Sequence, residues 1–294
     1  MSNSYDVLVT GGNGQLGKAF KLLKKKYKII LLSKKKLDIT KKNSTLKIIT
    51  KYKPRIIINT AAYTDVVNSE NNYKLAKSVN FTGVKNLTII CKKLDILLIH
   101  ISTDYVFFGN KKSSYKENDK CIPKNNYGKS KLMAEKIIKN NLNKYFIIRV
   151  SWLFGYGKNN FVYKIINLLK KKQPLVVVDN EYSSPTSADD LVDIIDIIIS
   201  RYNINKKLLY GLYHFNSLDR KISRYDFTIL IQKIFKNKKI ISSNIKKKND
   251  ISVFRPINTF LNTKKIYNEF NYKRKNFNFS LNKMIDYYLQ NNIK

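Results

Sequence analysis

The feature that most constrains the fold of this 294-residue chain is a glycine-rich turn directly after its first apolar run. Tyr5 to Thr10 predicts a short buried strand, and the chain continues as Gly11-Gly12-Asn13-Gly14-Gln15-Leu16-Gly17. Glycines let the backbone turn sharply and approach a bound phosphate, while the N-terminus of the following helix attracts negative charge. A turn of this kind between a strand and a helix predicts a site for the pyrophosphate of a dinucleotide.

Apolar runs alternate with segments of helical spacing as far as residue 150. Strands are predicted at 28–32, 55–59, 96–102 and 145–150, and helices at 15–26, 71–93 and 127–141. Beyond Trp152 the pattern loosens to helices at 161–172, 188–202, 225–236 and 281–289, with one strand at 175–178. Alternating strands and helices predict right-handed βαβ units and a parallel sheet that is covered on both faces.

The predicted fold class is therefore α/β, with a modified Rossmann doubly wound parallel sheet and a smaller α/β substrate-binding domain. The chain is expected to cross between the two domains more than once. We assign residues 1–157 and about 183–218 to an NAD(P)-binding domain. The second, nucleotide-sugar-binding domain takes about 158–182 and 219–294.

Three side chains with proton-transfer chemistry are predicted to meet at one edge of this sheet. Tyr127 and Lys131 are four residues apart on a predicted helix, so they share a face. A neighbouring ammonium is expected to lower the pKa of the Tyr127 phenol, which suits a group that exchanges protons with a carbonyl or alcohol oxygen. Thr103 follows an apolar strand at the carboxyl edge, where α/β sites form, and its hydroxyl is expected to hold a substrate oxygen.

The residues after the second strand bear on the choice of cofactor. A carboxylate at that point binds the ribose hydroxyls of NAD, whereas cations tolerate the 2′-phosphate of NADP. This chain has Ser33-Lys34-Lys35-Lys36, which favours NADPH, with NADH left open because lysine is abundant throughout. Asp38 is expected either to accept a hydrogen bond from the adenine amino group or to cap the next helix.

The net charge of +37 raises the question of nucleic-acid binding. Lysine is spread along the whole chain, whereas arginine is scarce. Base readout and phosphate clamping prefer arginine, so no specific nucleic-acid function is expected.

The spacing of Cys91 and Cys121 does not match a metal site, and the two residues are predicted to be reduced thiols in a cytoplasmic protein. No run is apolar enough to cross a bilayer, and no signal peptide is evident at the start.

Taken together, these motifs resemble those of the extended short-chain dehydrogenases, and within them the dTDP-4-dehydrorhamnose reductase family. The resemblance extends in one order along nearly the whole chain. The matching stretches begin at Gly14, Leu37, Asn59, Ser102, Tyr127, Arg149, Ser184, Gly211, Ser223 and Arg255.

The resemblance implies a role for each matching residue. It makes Thr103, Tyr127 and Lys131 the catalytic triad, and it implies that Asp104, Tyr105, Trp152 and Arg255 bind the substrate. The residues implied to bind the cofactor are Gly11, Gly14, Gln15, Leu16, Asp38, Ile39, Ala61, Ala62, Tyr63, Tyr127 and Lys131. For Trp152, a place in the core and a role as a sugar-stacking platform are both open.

The chain departs from the family pattern at three places. Relatives carry a glutamate, proposed as a magnesium ligand at a dimer contact, where this chain has Ala19, so magnesium and a metal-bridged dimer are in doubt and no metal ligand is assigned. The usual Asp-Gln-x-Gly-Ser-Pro-Thr is replaced by Asn180-Glu181-Tyr182-Ser183-Ser184-Pro185-Thr186, and a usual Val-Asp pair by Val66-Val67.

The activity that the resemblance implies is NADPH-dependent reduction of dTDP-4-dehydro-β-L-rhamnose to dTDP-L-rhamnose. The expected partner is a dTDP-linked 4-ketohexose, with no membrane contact and a monomeric or homodimeric state. Two alternatives stay open: a nucleotide-sugar epimerase or dehydratase with retained NAD, and a non-catalytic subunit like the regulatory subunit of methionine adenosyltransferase. Such dehydratases usually have Asp-Glu after the threonine, whereas Asp104 is followed here by Tyr105.

Overall fold

The computed structural model describes residues 5–171, 174–204, 207–236, 245–248 and 254–291. Its strands are β1 Val7–Thr10, β2 Ile29–Leu32, β3 Ile56–Asn59, β4 Leu97–Thr103, β5 Tyr145–Val150, β6 Leu153–Phe154, β7 Leu175–Val178, β8 Tyr182–Ser183, β9 Thr186–Ser187, β10 Gly211–His214, β11 Ile222–Ser223 and β12 Ile245–Lys248. Six of them form a central sheet in the order β10-β5-β4-β3-β1-β2. All five neighbouring pairs in that sheet are parallel.

Helices connect these strands. They are α1 Gln15–Ala19, α2 Lys42–Tyr52, α3 Val66–Asn71, α4 Tyr73–Lys77, α5 Gly83–Leu94, α6 Asn126–Asn141, α7 Phe161–Lys170, α8 Ala188–Asn203, α9 Arg224–Lys236, α10 Lys264–Phe270 and α11 Phe277–Gln290. Short 3₁₀ segments follow α1 and β4, at Phe20–Lys25 and Asp104–Val106. No helix within the described ranges combines the length and the apolar character that crossing a bilayer requires.

Two hydrophobic clusters cover the two faces of the central sheet. Successive residues of a strand point to opposite faces. Val7 and Val9 accordingly join a cluster with α1, α8 and α10, whereas Leu8 joins one with α2, α5 and α6. The sheet is thus sandwiched between helices, as the alternation of strands and helices predicts.

A third cluster lies apart from the central sheet. It packs α7, α9 and α11 around Phe227 and Phe277, with Leu175 of β7 at its margin. Strands β7 and β12 form a small parallel pair beside it. The division of the chain into two domains at the residue numbers given above stays a prediction.

The predicted helix at 71–93 has a different internal structure. It contains a π-helical turn at Ser78–Thr82 between α4 and α5. At this turn the buried side chain of Asn80 hydrogen-bonds both backbone groups of Tyr63, and Asn80 Nδ2 also donates to Ser130. Extra residues in a helical turn often mark functional sites. Here the turn lets the Asn80 amide hydrogen-bond both the loop at Tyr63 and helix α6 at Ser130.

Candidate active site

A cavity of about 760 Å³ opens at the carboxyl ends of β4 and β5, beside the loops that follow β1 and β3. Its wall is formed by the glycine turn, the first turn of α1, the segment 156–161 and the start of α9. The residues that line it include Asn13, Gly14, Gln15, Leu16, Lys18, Thr60, Ala62, Thr103, Asp104, Tyr105, Tyr127, Lys131, Trp152 and Arg224. Ligands of open α/β sheets bind at this edge.

The glycine turn is held close to the neighbouring loop by the absence of side chains. Gly11 has φ +64°, and a Cβ atom there would lie 2.9 Å from the backbone of Ala61. A Cβ at Gly17 would lie 2.4 Å from the Gly11 carbonyl oxygen. These contacts leave no room for alanine, so the glycines are needed for α1 to begin directly against the turn.

The turn has two features that fit a bound dinucleotide. The N-terminus of α1 has no side-chain cap, which leaves backbone N–H groups available to an anion. Gln15 donates to the Leu153 carbonyl at 3.3 Å, but its buried Oε1 atom has no hydrogen-bond partner within the described residues. A ligand or a water molecule that offers a donor at this point of the cavity wall would satisfy the buried acceptor.

Thr103 and Tyr127 meet at the inner end of the cavity. The Tyr127 phenol lies near the Thr103 hydroxyl, and both side chains line the cavity. The Thr103 hydroxyl donates to Asp104 at 3.0 Å and accepts the N–H of Tyr105 at 3.2 Å. Tyr127 enters this position because Asn125 caps the helix α6 and because Gly128 has no side chain. A Cβ on Gly128 would lie 2.2 Å from the carbonyl oxygen of Tyr105.

The expected lowering of the Tyr127 pKa is wrong for this structure. Burial raises the pKa of the Tyr127 phenol to about 12, the Thr103 hydrogen bond lowers it, and the charge of Asp104 raises it further. Since desolvation disfavours the charged form, Tyr127 is a neutral phenol at physiological pH. A neutral phenol holds the proton that a general acid must give.

Lys131 lines the cavity, and two buried groups hold its ammonium in place. Its Nζ atom donates to the carbonyl oxygen of Ile101 at 2.7 Å and lies 3.2 Å from His100 Nε2. His100 is fully buried, and its other ring nitrogen lies 3.0 Å from the Asn59 amide. Burial lowers the pKa of Lys131 to about 8, although Glu135 one turn further along α6 acts in the opposite direction.

Asp104 and Tyr105 follow Thr103 and line the same wall. Thr259 hydrogen-bonds the Asp104 carboxylate. Burial raises the pKa of Asp104 to about 6, against the hydrogen bonds from Thr259 and Thr103. Burial also raises the pKa of Tyr105. Tyr105 packs edge-on against the Tyr127 ring at 5.9 Å between centroids, so it fixes the orientation of the phenol.

Trp152 lies at the outer end of the cavity beneath a guanidinium. It is half-buried, has positive φ (45°), and its ring carries the Arg224 guanidinium at 3.9 Å from the centroid. Arg224 Nε also pairs with Glu181 at 3.4 Å. Trp152 thus lines the cavity and also packs against the third cluster, and its role as a sugar-stacking platform stays a prediction.

Arg255 does not line the cavity. Its Nη1 atom pairs with the other oxygen of Glu181 at 3.5 Å, and its side chain is 34% exposed. Glu181 therefore lies between two guanidinium groups, of which only that of Arg224 faces the cavity. No sequence pattern favoured Arg224 over Arg255, since both arginines lie in stretches that match the family.

The predicted adenosine-side residues lie around the glycine turn and do not all line the cavity. Ala62 lines it, whereas Ala61 backs Gly11 and Tyr63 bonds Asn80. Ile39 is buried in the cluster beneath α5.

Asp38 does not cap the next helix, so that expectation is wrong. Its carboxylate accepts from the N–H and hydroxyl of Thr40, and α2 begins only at Lys42. Lys34, Lys35 and Lys36 are exposed beyond β2.

A buried ion pair supports the floor of the site. Arg149 and Glu135 are both 1% exposed and are joined by two hydrogen bonds, at 2.6 and 2.8 Å. Ser102 donates to the same carboxylate at 2.6 Å, which ties β4, β5 and α6 together directly behind Thr103 and Lys131. Removing one partner of such a pair leaves an unpaired buried charge, which costs about 3–5 kcal/mol.

Sequence reasoning missed three residues at the site. His100 anchors Lys131, Asn80 links Tyr63 to the start of α6, and Arg224 covers Trp152. His100 lies inside an apolar strand. A single polar residue in such a strand could have indicated a site, because a buried imidazole needs hydrogen-bond partners.

Ala19, at the position where the family pattern has the proposed metal ligand, is fully buried in the core.

Comparisons with known proteins agree with this geometry. A family model described as the RmlD substrate binding domain matches residues 5–290. A dTDP-4-dehydrorhamnose reductase of Aggregatibacter actinomycetemcomitans is 36% identical over 273 residues, which make up 90% of this chain and 92% of the relative.

Two crystal structures of proteins with the same name are also similar. The enzyme of Bacillus anthracis, in complex with NADP, has a TM-score of 0.88 and 31% identity and covers 98% of this chain and 100% of its own. That of Clostridium acetobutylicum has a TM-score of 0.87 and 34% identity, with coverage of 97% and 99%.

Proposed function

The chain belongs to the RmlD substrate binding domain family, and we propose that it is an NADPH-dependent dTDP-4-dehydrorhamnose reductase. It would convert dTDP-4-dehydro-β-L-rhamnose to dTDP-L-rhamnose, the last step of dTDP-rhamnose biosynthesis. The observation that carries the proposal is the proximity of the Tyr127 phenol and the Thr103 hydroxyl in a cavity that the glycine turn also lines. A proton donor and a nucleotide-binding turn in one cavity are what reduction of a ketone by a nicotinamide requires.

In this mechanism NADPH, when bound, supplies the hydride that reduces the C4 carbonyl carbon of the sugar. Tyr127 gives its proton to the carbonyl oxygen, so that the ketone becomes an alcohol and the tyrosine becomes a phenolate. The Thr103 hydroxyl forms a hydrogen bond with the same carbonyl oxygen and holds that oxygen next to the Tyr127 phenol. The Lys131 ammonium, on the same face of α6, stabilises the phenolate electrostatically until it is protonated again.

Other residues position the two ligands. Gly11, Gly14, Gln15 and Leu16 would hold the pyrophosphate at the start of α1, and Lys131 would also reach the ribose hydroxyls. Asp38, Ile39, Ala61, Ala62 and Tyr63 would form the adenosine side. Asp104, Tyr105 and Trp152 would contact the sugar, and Arg255 would border the nucleotide.

The preference for NADPH rests on charge. Lys34 to Lys36 follow β2, where a carboxylate would select NAD. The similar enzyme of Bacillus anthracis is described in complex with NADP. The substrate is a soluble nucleotide sugar, and we expect a cytoplasmic enzyme that is a monomer or a homodimer.

The first test substitutes Tyr127→Phe. Removing the phenolic proton should lower kcat by about 100-fold or more, the usual contribution of a general acid. NADPH affinity should stay close to that of the wild type. Tyr210→Phe, on the partly exposed Tyr210 outside the cavity, serves as the control and should keep full turnover.

The assay follows NADPH absorbance with a panel of dTDP- and UDP-linked 4-ketohexoses. Binding of NADPH without its oxidation by any of these ketosugars would reject the reductase. NAD that stays bound through purification would instead support an epimerase or dehydratase. Stable association with a larger enzyme would support a regulatory subunit.

A further inference from the structure

A row of buried polar side chains crosses the central sheet and ends at Lys131. Thr10, Asn59 and His100 occupy the same register position on the neighbouring strands β1, β3 and β4, and we call these three residues the polar row. All three are buried, as is Lys131. The Thr10 hydroxyl donates to Asn59 Oδ1 at 2.6 Å, and Asn59 Nδ2 lies 3.0 Å from His100 Nδ1. The other ring nitrogen, Nε2, lies 3.2 Å from Lys131 Nζ.

The polar row lies in an otherwise apolar layer of the sheet. The next residues at the same register position are Leu32 on β2, beside Thr10, and Ile147 on β5, beside His100. A buried polar group in such surroundings needs a hydrogen-bond partner. The direction of each hydrogen bond in the polar row therefore limits the direction of the next one.

The imidazole of His100 is neutral, so only one of its nitrogens carries a proton. Burial lowers the pKa of His100 well below its ordinary value, and the charge of Lys131 lowers it further. An amide nitrogen can only donate, so Asn59 Nδ2 makes the ring Nδ1 an acceptor and leaves the ring proton on Nε2. That proton faces Lys131 Nζ, which can accept it only as a neutral amine.

An ammonium at Lys131 requires the opposite arrangement. An ammonium has no lone pair, so it donates to Nε2, and the ring proton is then on Nδ1. The Asn59 side chain meets this Nδ1–H with its oxygen once the amide has turned over about its last torsion. Thr10 fits either orientation of the amide, since a hydroxyl both donates and accepts. Lys131 keeps its hydrogen bond to the Ile101 carbonyl in both states, because an amine still has N–H groups.

The charges around the lysine and the imidazole leave these two groups coupled to each other. The charged and titratable side chains on the surrounding elements include Tyr127 and Glu135 on α6, Arg149 on β5, Cys91 on α5 and Asp104 after β4. Glu135 raises the Lys131 pKa against the effect of burial, and its carboxylate is paired with Arg149. Burial raises the pKa values of the thiol, the phenol and the Asp104 carboxyl. The charge that acts on His100 is that of Lys131, so the two groups titrate as a unit.

We infer that His100 and Asn59 are positioning residues that couple the proton of Lys131 to the tautomer of His100 and to the orientation of the Asn59 amide. The coupling lets Lys131 lose or regain a proton while each ring nitrogen keeps a partner, which avoids the cost of an unpaired buried group. The consequence for catalysis rests on the proposed function. Lys131 then stays beside Tyr127 in both of its protonation states.

The experiment determines the tautomer of His100 from the ¹⁵N chemical shifts of its ring nitrogens, in the ¹⁵N-labelled full-length protein. The chain has two histidines, so His214→Gln assigns both sets of signals. Below the Lys131 pKa of about 8 the ring proton should be on Nδ1, and above it on Nε2. The ratio of the two tautomers should change by about tenfold per pH unit, as the ratio of ammonium to amine does.

Two variants should each hold the imidazole in one tautomer. Lys131→Met removes the ammonium and should leave the ring proton on Nε2 at every pH. Asn59→Asp replaces the amide by a carboxylate, which only accepts, and should keep the ring proton on Nδ1. Lys129→Met changes an exposed residue of the same helix and is the matched control, so its His100 should titrate as in the wild type.

The wild-type titration decides the matter even if a variant does not fold. A single tautomer of His100 from about pH 6.5 to 9.5 would overturn the inference, since this range brackets the Lys131 pKa. A change of tautomer that persists in Lys131→Met would overturn it as well. Because these measurements need no turnover, a failure of the reductase proposal would be seen separately, in the NADPH assay.

Discussion

Burial sets the protonation states of the side chains around the expected position of the ketone. Tyr127 is kept neutral by desolvation, and the same effect brings the pKa of Lys131 down to about 8. The ammonium is retained at neutral pH because the charge of Glu135 counteracts part of the effect of burial on the Lys131 pKa. The two groups therefore have the forms that proton donation to a ketone needs.

The Lys131 pKa predicts how the reaction rate depends on pH. Below about pH 8 Lys131 is an ammonium that stabilises the developing phenolate, and above it the group becomes a neutral amine. The value of kcat/KM should therefore fall as the pH rises through about 8. A pH–rate profile of the free enzyme measures this limb.

Substitution of a lysine on the same helix provides the control. Lys129→Met alters an exposed residue of α6 and should leave the alkaline limb in place, whereas Lys131→Met should remove most activity at every pH. A profile that stays flat between about pH 7 and 9.5 would contradict the role given to the ammonium.

At the level of elements, the site depends on how closely α6 approaches the end of β4. The approach is set at Gly128, whose missing side chain lets the helix rest on the Tyr105 carbonyl. Asn125 fixes the start of the helix, and the Glu135–Arg149 pair fixes its middle. Tyr127 and Lys131 are consequently held on a rigid element, which keeps the proton donor in one position.

We predict that Gly128→Ala lowers kcat by about 100-fold, because a displacement near 1 Å at the reacting groups has an effect of that size. The added methyl group would push α6, with Tyr127 and Lys131, away from Thr103, while the glycine turn stays intact. Lys129→Ala, one residue along and exposed, is the control and should behave as the wild type. Equal kcat values for the two variants would refute the packing argument.

Sequence patterns predicted elements well where burial is strongest. The first five strands of the sheet are confirmed within one or two residues, since continuous apolar runs are typical of strands buried on both faces. Strand β10 was not predicted, and helix α2 was implied only as the helix after Asp38, without bounds. The helix α2 has a mean hydropathy below zero and buries only Thr45 and Ile49, so its apolar signal is weak. The four-residue β10 is defined mainly by its pairing with β5.

Over the whole molecule, the net charge of +37 contrasts with a buried histidine that the fold keeps neutral. His214 is fully buried; its Nδ1 faces the Tyr115 carbonyl at 3.1 Å, and its Nε2 lies 3.3 Å from the Arg149 guanidinium. Burial, together with the charge of Arg149, lowers the pKa of His214 well below its ordinary value. A proton on Nε2 would face a cationic donor, so the folded protein keeps this histidine neutral.

This predicts a loss of stability in acid. Below about pH 6.5 the unfolded chain binds a proton at His214 that the folded chain does not, so the free energy of unfolding falls by about 1.4 kcal/mol per pH unit from this group. His214→Gln, which can keep one donor and one acceptor, should reduce the slope by that amount in urea titrations between about pH 6 and 4.5.

Carboxylates with raised pKa values, such as Asp104, change stability in the opposite direction. They are present in both proteins, so the difference between the two slopes isolates the histidine. Identical slopes for wild type and variant would show that His214 takes up its proton in the folded state.

The sequence alone determined the parallel sheet, the glycine turn, the Thr103, Tyr127 and Lys131 set and the family, because apolar periodicity and local spacing carry that information. The tertiary structure decided which charged side chains face the cavity and which protonation states Tyr127, Lys131 and His214 adopt. It placed Arg224 rather than Arg255 at the wall and raised the Tyr127 pKa that spacing suggested would be lowered. Desolvation and ion pairing depend on segments distant in sequence, such as Glu181 and His100, and no local pattern records those distances.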